Sequence, residues 1–261
     1  MEPVRSPTES RLARRLALLL VCGVLLGVAL VLVLGSRDAG DPFFDADFER
    51  GAGLAGFDVQ RDEDDRIRVV EEPGAFSGDR SARFEVRPGD EAAGGNRAEL
   101  AGPSFSEGDE VWFRQAIRVD LDSAVAGGWQ EVVQYSANGE GPPALALLTE
   151  PAGEGGGFRL RLGDGDGGDV YWRSPELERD TWHDVGVRVL FSSEQDGEIS
   201  AYLDGSEQTL ENGEHTMTGS TFEFGKAYFK TGIYRSDSHD EPSIVYHDRI
   251  RMGRGAGDVG L

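Results

Sequence analysis

The stretch AYFKTGIYR, residues 227–235, alternates between two kinds of side chain. One set suits a protein core and consists of Phe229, Thr231 and Ile233. The other set faces the opposite way and consists of Tyr228, Lys230, Gly232 and Tyr234. Because successive side chains of a strand point to opposite faces, the stretch predicts a strand with one face in the core and one face open to a ligand. The glycine leaves room for a ligand to approach the backbone closely.

Alternating segments of the same kind occupy most of the chain after residue 41, separated by turns rich in glycine, proline, asparagine and aspartate. They are residues 66–72, 80–87, 110–119, 144–150, 158–163, 182–192, 198–205 and 243–253. No segment after residue 36 shows an apolar stripe with the period of a helix. The pattern predicts one all-β domain over residues 42–261, a β-sandwich or jelly roll, preceded by a polar linker at residues 35–41.

Composition excludes several classes of function. The chain has 261 residues and a formal net charge of -22, which argues against a nucleic-acid-binding protein. Its single cysteine, Cys22, excludes a disulfide framework and a cysteine-rich zinc site. The aspartates of GDGDGGD (163–169) have a spacing that could bind calcium, but a hairpin turn is the better interpretation. We therefore expect no metal and no cofactor.

The N-terminus differs from the rest of the chain. Residues 1–15 are basic, and residues 16–34 form an uninterrupted run of 19 apolar or small side chains. At about 1.5 Å per residue such a helix nearly spans a ~30 Å hydrocarbon core. We interpret the run as a transmembrane signal anchor, with residues 1–15 cytoplasmic and the C-terminal domain extracellular at the cell membrane. The alternative is a cleaved signal peptide and a secreted protein, although signal-peptide cores are usually shorter.

Polar side chains mark two further segments that resemble strands. In RAEL (97–100), Arg97 and Glu99 are predicted to share a face. In WQEVVQYS (129–136), the predicted shared face carries Gln130, Val132, Gln134 and Ser136. Each segment alone fits an ordinary surface strand, so only the three segments together and in this order indicate a site.

In this order the segments resemble the three signature strands of the alginate-lyase-like jelly-roll polysaccharide lyases, which read R-x-E-L, Q-x-H and Y-F-K-x-G-x-Y. Further matches, TWHDVGVRVLFSSEQDG (181–197) and VYHDRIRMG (245–253), make the chain most similar to the heparin lyase I-like family. The resemblance implies a concanavalin-like β-jelly-roll sandwich. It also implies β-elimination on a uronic-acid-containing polysaccharide, a reaction that needs no metal. The expected partner is therefore an anionic polysaccharide, and we expect the protein to be a monomer.

The resemblance also implies roles for individual residues. Tyr234 would be the catalytic acid and also the base, while Arg97 and Gln134 would neutralise the substrate carboxylate. An ordinary tyrosine has a pKa near 10, so a base role requires nearby positive charge. The expected substrate-binding residues are Tyr228, Lys230, Arg235, Glu99, Gln130 and Ser136.

One departure from the family pattern leaves two interpretations open. Ser136 occupies the position of the Q-x-H histidine, which the resemblance implies would act as base or neutralise the substrate carboxylate. A serine cannot serve as a base at neutral pH. Either Tyr234 acts alone in a syn elimination, or the domain is a non-catalytic carbohydrate-binding jelly roll. Of the other histidines, His239 is the reserve catalytic candidate. We expect His183 to be structural, His215 to lie in a solvated loop and His247 to lie on a surface strand.

The apolar run leads to a prediction about topology. We expect mass spectrometry of the membrane fraction to find a protein that retains residues 16–34, because the run exceeds a signal-peptide core in length. A mature N-terminus near Ser36 would contradict the anchor and leave export through the membrane standing.

Overall fold

The computed structural model describes residues 40–50, 53–119, 128–137, 143–150, 156–162, 169–178, 180–222 and 225–261. The predicted transmembrane segment 16–34 and most of the GDGDGGD turn lie outside these residues. Within the described ranges, no helix is both long and apolar enough to cross a bilayer.

Where the structure describes residues between Asp41 and Leu261, they form β-strands with very little helix. The strands are β1 (Phe44–Ala46), β2 (Asp58–Gln60), β3 (Ile67–Val70), β4 (Ser81–Val86), β5 (Asn96–Phe105), β6 (Glu110–Val119), β7 (Gln130–Ser136), β8 (Leu145–Thr149), β9 (Phe158–Leu162), β10 (Asp169–Arg173), β11 (His183–Leu190), β12 (Gly197–Leu203), β13 (Ser206–Glu207), β14 (Met217–Gly219), β15 (Ala227–Arg235) and β16 (Ser243–Gly253). A 3-10 turn at Asp64–Arg66 and a short helix, α1 (Ala256–Val259), complete the described elements.

The strands form two antiparallel sheets, which makes the fold an all-β sandwich as expected for a jelly roll. In the described residues one sheet has nine strands, in the order β13-β12-β11-β6-β16-β4-β3, with β1 paired to β16 and β14 paired to β12. The other has seven, in the order β10-β9-β8-β7-β15-β5-β2. All nine strand segments predicted from alternation are strands, and the limits of β6, β15 and β16 match the prediction.

The centre of the core is aromatic, and it lies between the two sheets. Phe229 of β15 stacks on Phe113 of β6 with ring centroids 5.7 Å apart. The ring centroid of Tyr135 of β7 lies 5.1 Å from that of Phe113. Aromatic contacts of this kind stabilise a core beyond their burial of apolar area. They also fix β15 and β7, whose other faces are turned away from the core.

A buried polar contact joins the two sheets near this centre. The Oγ1 atom of Thr231 lies 3.0 Å from Nδ1 of His247, and it donates to Oε1 of Gln115 at 3.1 Å. The prediction of His247 as a surface residue is therefore wrong, because the imidazole is fully buried against Phe84. Burial lowers the pKa of His247 to about 3, so the ring stays neutral.

Irregular pairing in β7 changes which residues share a face. Against β8, the register shifts between Glu131 and Val133 and again between Gln134 and Ser136. Each shift leaves one extra residue on β7, which is the defining feature of a β-bulge. Val132 and Val133 both belong to the core, and the strict alternation predicted for residues 130–136 is therefore wrong.

Gly232 of β15 lies where the pairing with β7 is also irregular, and it has a φ of 136°. A Cβ atom there would lie 2.2 Å from the carbonyl oxygen of Ala98 and 2.8 Å from Phe84. Only glycine tolerates this combination of a positive φ and such close backbone contact.

We predict that Gly232→Ala lowers the free energy of unfolding by about 3 kcal/mol, because backbone strain and a steric clash act together. Gly108→Ala is the matched control, since Gly108 has a φ of 82° and a Cβ there would meet no atom within 4 Å. The control should lose only about 1 kcal/mol. Urea unfolding measures both changes, and equal losses would contradict the predicted steric clash.

Candidate active site

A groove of about 490 Å³ lies on the outer face of the seven-stranded sheet. Strands β2, β5, β7, β9 and β15 all contribute to its lining. Its charged, amide and phenolic side chains include Arg97, Glu131, Gln134, Arg161, Lys230 and Tyr234. Since cations and hydrogen-bond donors outnumber the carboxylates in this set, the groove suits an anionic ligand.

Glu99 of β5 lies beneath this groove with only 2% of its surface exposed. Its carboxylate accepts hydrogen bonds from side chains of three neighbouring strands. The donors are Arg97 Nη1 at 3.1 Å, Gln134 Nε2 at 2.7 Å and Lys230 Nζ at 3.4 Å. Glu99 therefore orients three of the residues predicted from the sequence and does not itself line the groove.

Glu99 and its charged partners are buried, so their pKa values are set by burial and by one another's charge. Burial raises the pKa of Glu99, while the positive charges of Lys230 and Arg97 act against this rise. Burial likewise lowers the pKa of Lys230, while Glu99 acts against that fall. Glu99 and Lys230 therefore each favour the ionised form of the other.

Tyr234 is held between two side chains on the floor of the groove. Its ring lies 3.8 Å from Cζ of Arg97 and 4.7 Å from the ring of Trp129. The guanidinium over the ring forms a cation–π contact, and Trp129 meets the ring edge-on. Gly95 makes this position available, because a Cβ there would lie 2.7 Å from the tyrosine ring.

Tyr228 lines the same groove, with the ammonium of Lys230 lying 5.5 Å from its ring centroid. The structure therefore brings together Tyr228, Lys230, Tyr234, Arg97 and Gln134 as the sequence predicted.

Besides Glu99, three further predicted binding residues do not line the groove. Gln130 precedes the groove-facing Glu131 and donates to Thr149 Oγ1 at 3.1 Å. Arg235 follows Tyr234, so it points to the opposite face, where it is buried against Asn96 and Ser243. Arg235 was misassigned because neighbours on a strand face opposite ways. Gln130 was misassigned because the irregularity between Glu131 and Val133 breaks the alternation of β7.

The third, Ser136, is buried at the second irregularity of β7. Ala137 lines the groove in its place.

None of the four histidines, all of which the structure describes, lines the groove. His183 contacts the carbonyl of Glu178 at 3.2 Å, as expected for a structural residue. His239 is buried, with Nε2 3.3 Å from the carbonyl of Trp129. Burial lowers the pKa of His239, so this reserve candidate supports the groove wall as a neutral ring.

Sequence reasoning missed two charged residues of the groove. Arg161 could have been found, since the alternation of FRLRLG places it opposite the apolar residues of β9. Glu131 could not, because alternation along β7 assigns it to the opposite face from Gln134. In the described residues, no group of three or more histidine, cysteine, aspartate or glutamate side chains could hold a metal ion.

Comparison with known proteins places this geometry in a family. A family model described as polysaccharide lyase matches residues 49–251. The chain belongs to the polysaccharide lyase family. The narrower likeness to the heparin lyase I-like family stays a prediction, and no curated protein matches the sequence.

Solved structures share the fold of this lyase at low sequence identity. An endo-β-1,4-glucuronan lyase from the fungus Trichoderma reesei has a TM-score of 0.62 and 18% identity, over 84% of this chain and 98% of that one. A marine alginate lyase from Aplysia kurodai has a TM-score of 0.55 and 12% identity, over 82% and 99% of the two chains.

A glycoside hydrolase also has this fold. The catalytic domain of a glycoside hydrolase family 131 protein from Coprinopsis cinerea has a TM-score of 0.52 and 13% identity, over 76% of this chain and 83% of that one. The fold alone therefore does not decide the reaction.

We predict that Glu99→Gln lowers the stability of the lyase by about 3 kcal/mol, because it leaves buried cations without their carboxylate. Glu71→Gln is the control, since it removes an exposed carboxylate that pairs with Arg80 at 3.5 Å. Such exposed pairs contribute less than about 1 kcal/mol. Urea unfolding at neutral pH compares the two variants, and similar losses would show that the buried cations do not depend on Glu99.

Proposed function

We propose that this lyase cleaves a uronic-acid-containing polysaccharide by β-elimination. One observation carries the proposal: Arg97, Gln134 and Lys230 converge on Glu99 beneath a groove in which Tyr234 lies against Arg97. The arrangement supplies positive charge and amide hydrogen for a carboxylate next to a group that can transfer a proton.

The reaction needs the substrate carboxylate to be neutralised first. Removal of the C5 proton places negative charge on this carboxylate, and a positive, donor-rich environment stabilises it. Arg97 offers a planar guanidinium suited to a carboxylate. Its Nε has no hydrogen-bond partner in the described part of the chain, so its donor capacity is not exhausted by Glu99.

Tyr234 would then transfer the proton. As a phenolate it removes the C5 proton, the C4–C5 double bond forms, and the bond from C4 to the leaving oxygen breaks. The tyrosine hydroxyl returns its new proton to that oxygen, so the phenolate is regenerated. Base and acid are one group, which makes the elimination syn, and the guanidinium of Arg97 lies against the ring of this group.

The groove also supports a polyanionic partner. Arg161 and Lys230 add positive charge on the same face of the sheet, which suits a substrate with repeated carboxylates. The glucuronan and alginate lyases of similar fold favour a polyuronate among anionic polysaccharides. We also propose that the domain acts outside the cell, anchored through residues 16–34, because the apolar run predicts export. We propose further that it acts as a monomer.

The test is the ultraviolet absorbance of the unsaturated uronate product, measured with glucuronan, alginate and other polyuronates. We expect an increase with at least one polymer. Tyr234→Phe should lower kcat about 100-fold or more yet leave affinity almost unchanged, because it removes only the proton-transfer group. Arg97→Ala should impair both, since it removes ground-state and developing-charge stabilisation together.

Tyr202→Phe is the control, because Tyr202 lies in the other sheet and bonds to Glu207. Substantial turnover in Tyr234→Phe would eliminate Tyr234 as the proton-transfer residue. Polymer binding without any product would support the non-catalytic carbohydrate-binding alternative.

A further inference from the structure

Glu131 lies beside the proposed proton-transfer residue on the groove face. Its backbone pairs directly with Tyr234 of β15, and Tyr234 pairs in turn with Arg97 of β5. The three side chains therefore form one row across three neighbouring strands. Glu131 lines the groove although only 3% of its surface is exposed.

One oxygen of Glu131 is bonded and the other is not. Oε1 accepts a hydrogen bond from Nη2 of Arg161 at 2.8 Å. Oε2 is buried and has no hydrogen-bond partner among the described residues. A buried polar atom left unpaired is costly, so such an atom in a binding groove indicates a partner that the ligand supplies.

Charged groups from every side determine the protonation of Glu131. Burial raises its pKa to about 8, and the negative charge of Glu99 on β5 adds to the rise. The cations that oppose the rise are Arg161 of β9, Arg97 of β5 and Lys230 of β15. Leu148, the backbone partner on β8, contributes no charge. Near neutral pH the carboxyl therefore holds a proton, and the unpaired Oε2 is the atom available to carry it.

We propose that Glu131, as a neutral carboxylic acid, donates a hydrogen bond from Oε2 to the carboxylate of the bound uronate. This inference rests on the proposed function of the same groove. It gives Glu131 the neutralising task that the family resemblance assigns to the missing Q-x-H histidine. As the C5 proton leaves, the substrate carboxylate gains negative charge, so this hydrogen bond strengthens in the transition state.

The proposal has a definite pH dependence. A bound uronate adds negative charge beside Glu131 and favours its protonated form, so the pKa of Glu131 is higher in the complex than in the free protein. By linkage, uronate affinity is full below the free-protein pKa and falls as the pH rises through it. Replacing the acid by an amide keeps a hydrogen-bond donor and removes the titration.

The experiment measures binding of an oligoglucuronate to the full chain carrying Tyr234→Phe, which slows cleavage enough for binding to be measured. We expect affinity to fall about tenfold between pH 7 and 9. Adding Glu131→Gln should make affinity independent of pH over this range, and adding Glu131→Ala should weaken binding at pH 7. Glu85→Gln is the control, since Glu85 is a buried carboxylate bonded to arginines in the other sheet.

Three outcomes would overturn the inference. The first is an unchanged pH dependence of affinity in the Glu131→Gln protein. The second is that Glu131→Gln in the otherwise wild-type chain loses turnover as fully as Tyr234→Phe while keeping affinity, which would make Glu131 the base. The third needs no ligand: infrared spectra at pH 7 should show a protonated carboxyl band that Glu131→Gln removes, and its absence contradicts the proposal. Failure of every polyuronate to bind, with that band present, would instead contradict the proposed function.

Discussion

The buried carboxylate of Glu99 is the interaction on which the groove depends. Its three donors come from β5, β7 and β15, which are neighbours in the seven-stranded sheet. Gly232 lies opposite Glu99 on β15, at a place where a Cβ atom would meet the backbone of Ala98 and the core ring of Phe84. A slip of one residue in any of these strands would turn its polar side chain into the aromatic core. The charge cluster above the sheet and the core below it therefore enforce the same register.

The polyanionic substrate proposed for this groove has to be reconciled with a very acidic chain. The net charge of -22 repels anions at a distance, but salt screens this repulsion beyond about 10 Å at 0.1 M. Arg97, Lys230 and Arg161 all line the groove, and each is less than a tenth exposed. Charges that are removed from solvent are screened much less than surface charges. At short range, an anionic ligand would therefore interact mainly with the positive charges of the groove, although the net charge of the whole molecule is negative.

The alternation of side chains along strands predicted the all-β fold and part of the site, because both depend on the two-residue repeat of a regular strand. It placed Tyr228, Lys230 and Tyr234 on one face of β15, and the structure agrees. It failed in β7, where two bulges follow from pairing with β8 and not from local sequence. It also failed for His247, since an imidazole between polar strand residues resembles a surface residue until the second sheet covers it. Contacts between distant segments determine these features, so one strand's pattern does not contain them.

The bulges in β7 determine which side chains take the place of the missing Q-x-H histidine on the groove face. A regular strand would place residues 130, 132, 134 and 136 on the groove face, and this chain has a serine at the last of these positions. The irregular strand instead presents Glu131, Gln134 and Ala137. Neutralising a carboxylate requires a hydrogen-bond donor in a dry site, and a protonated carboxyl meets this requirement as an imidazole does. A fold that also carries a glycoside hydrolase does not dictate elimination chemistry. That chemistry depends on which side chains of β7 face the groove beside Tyr234, and in this chain one of them is the carboxyl group of Glu131.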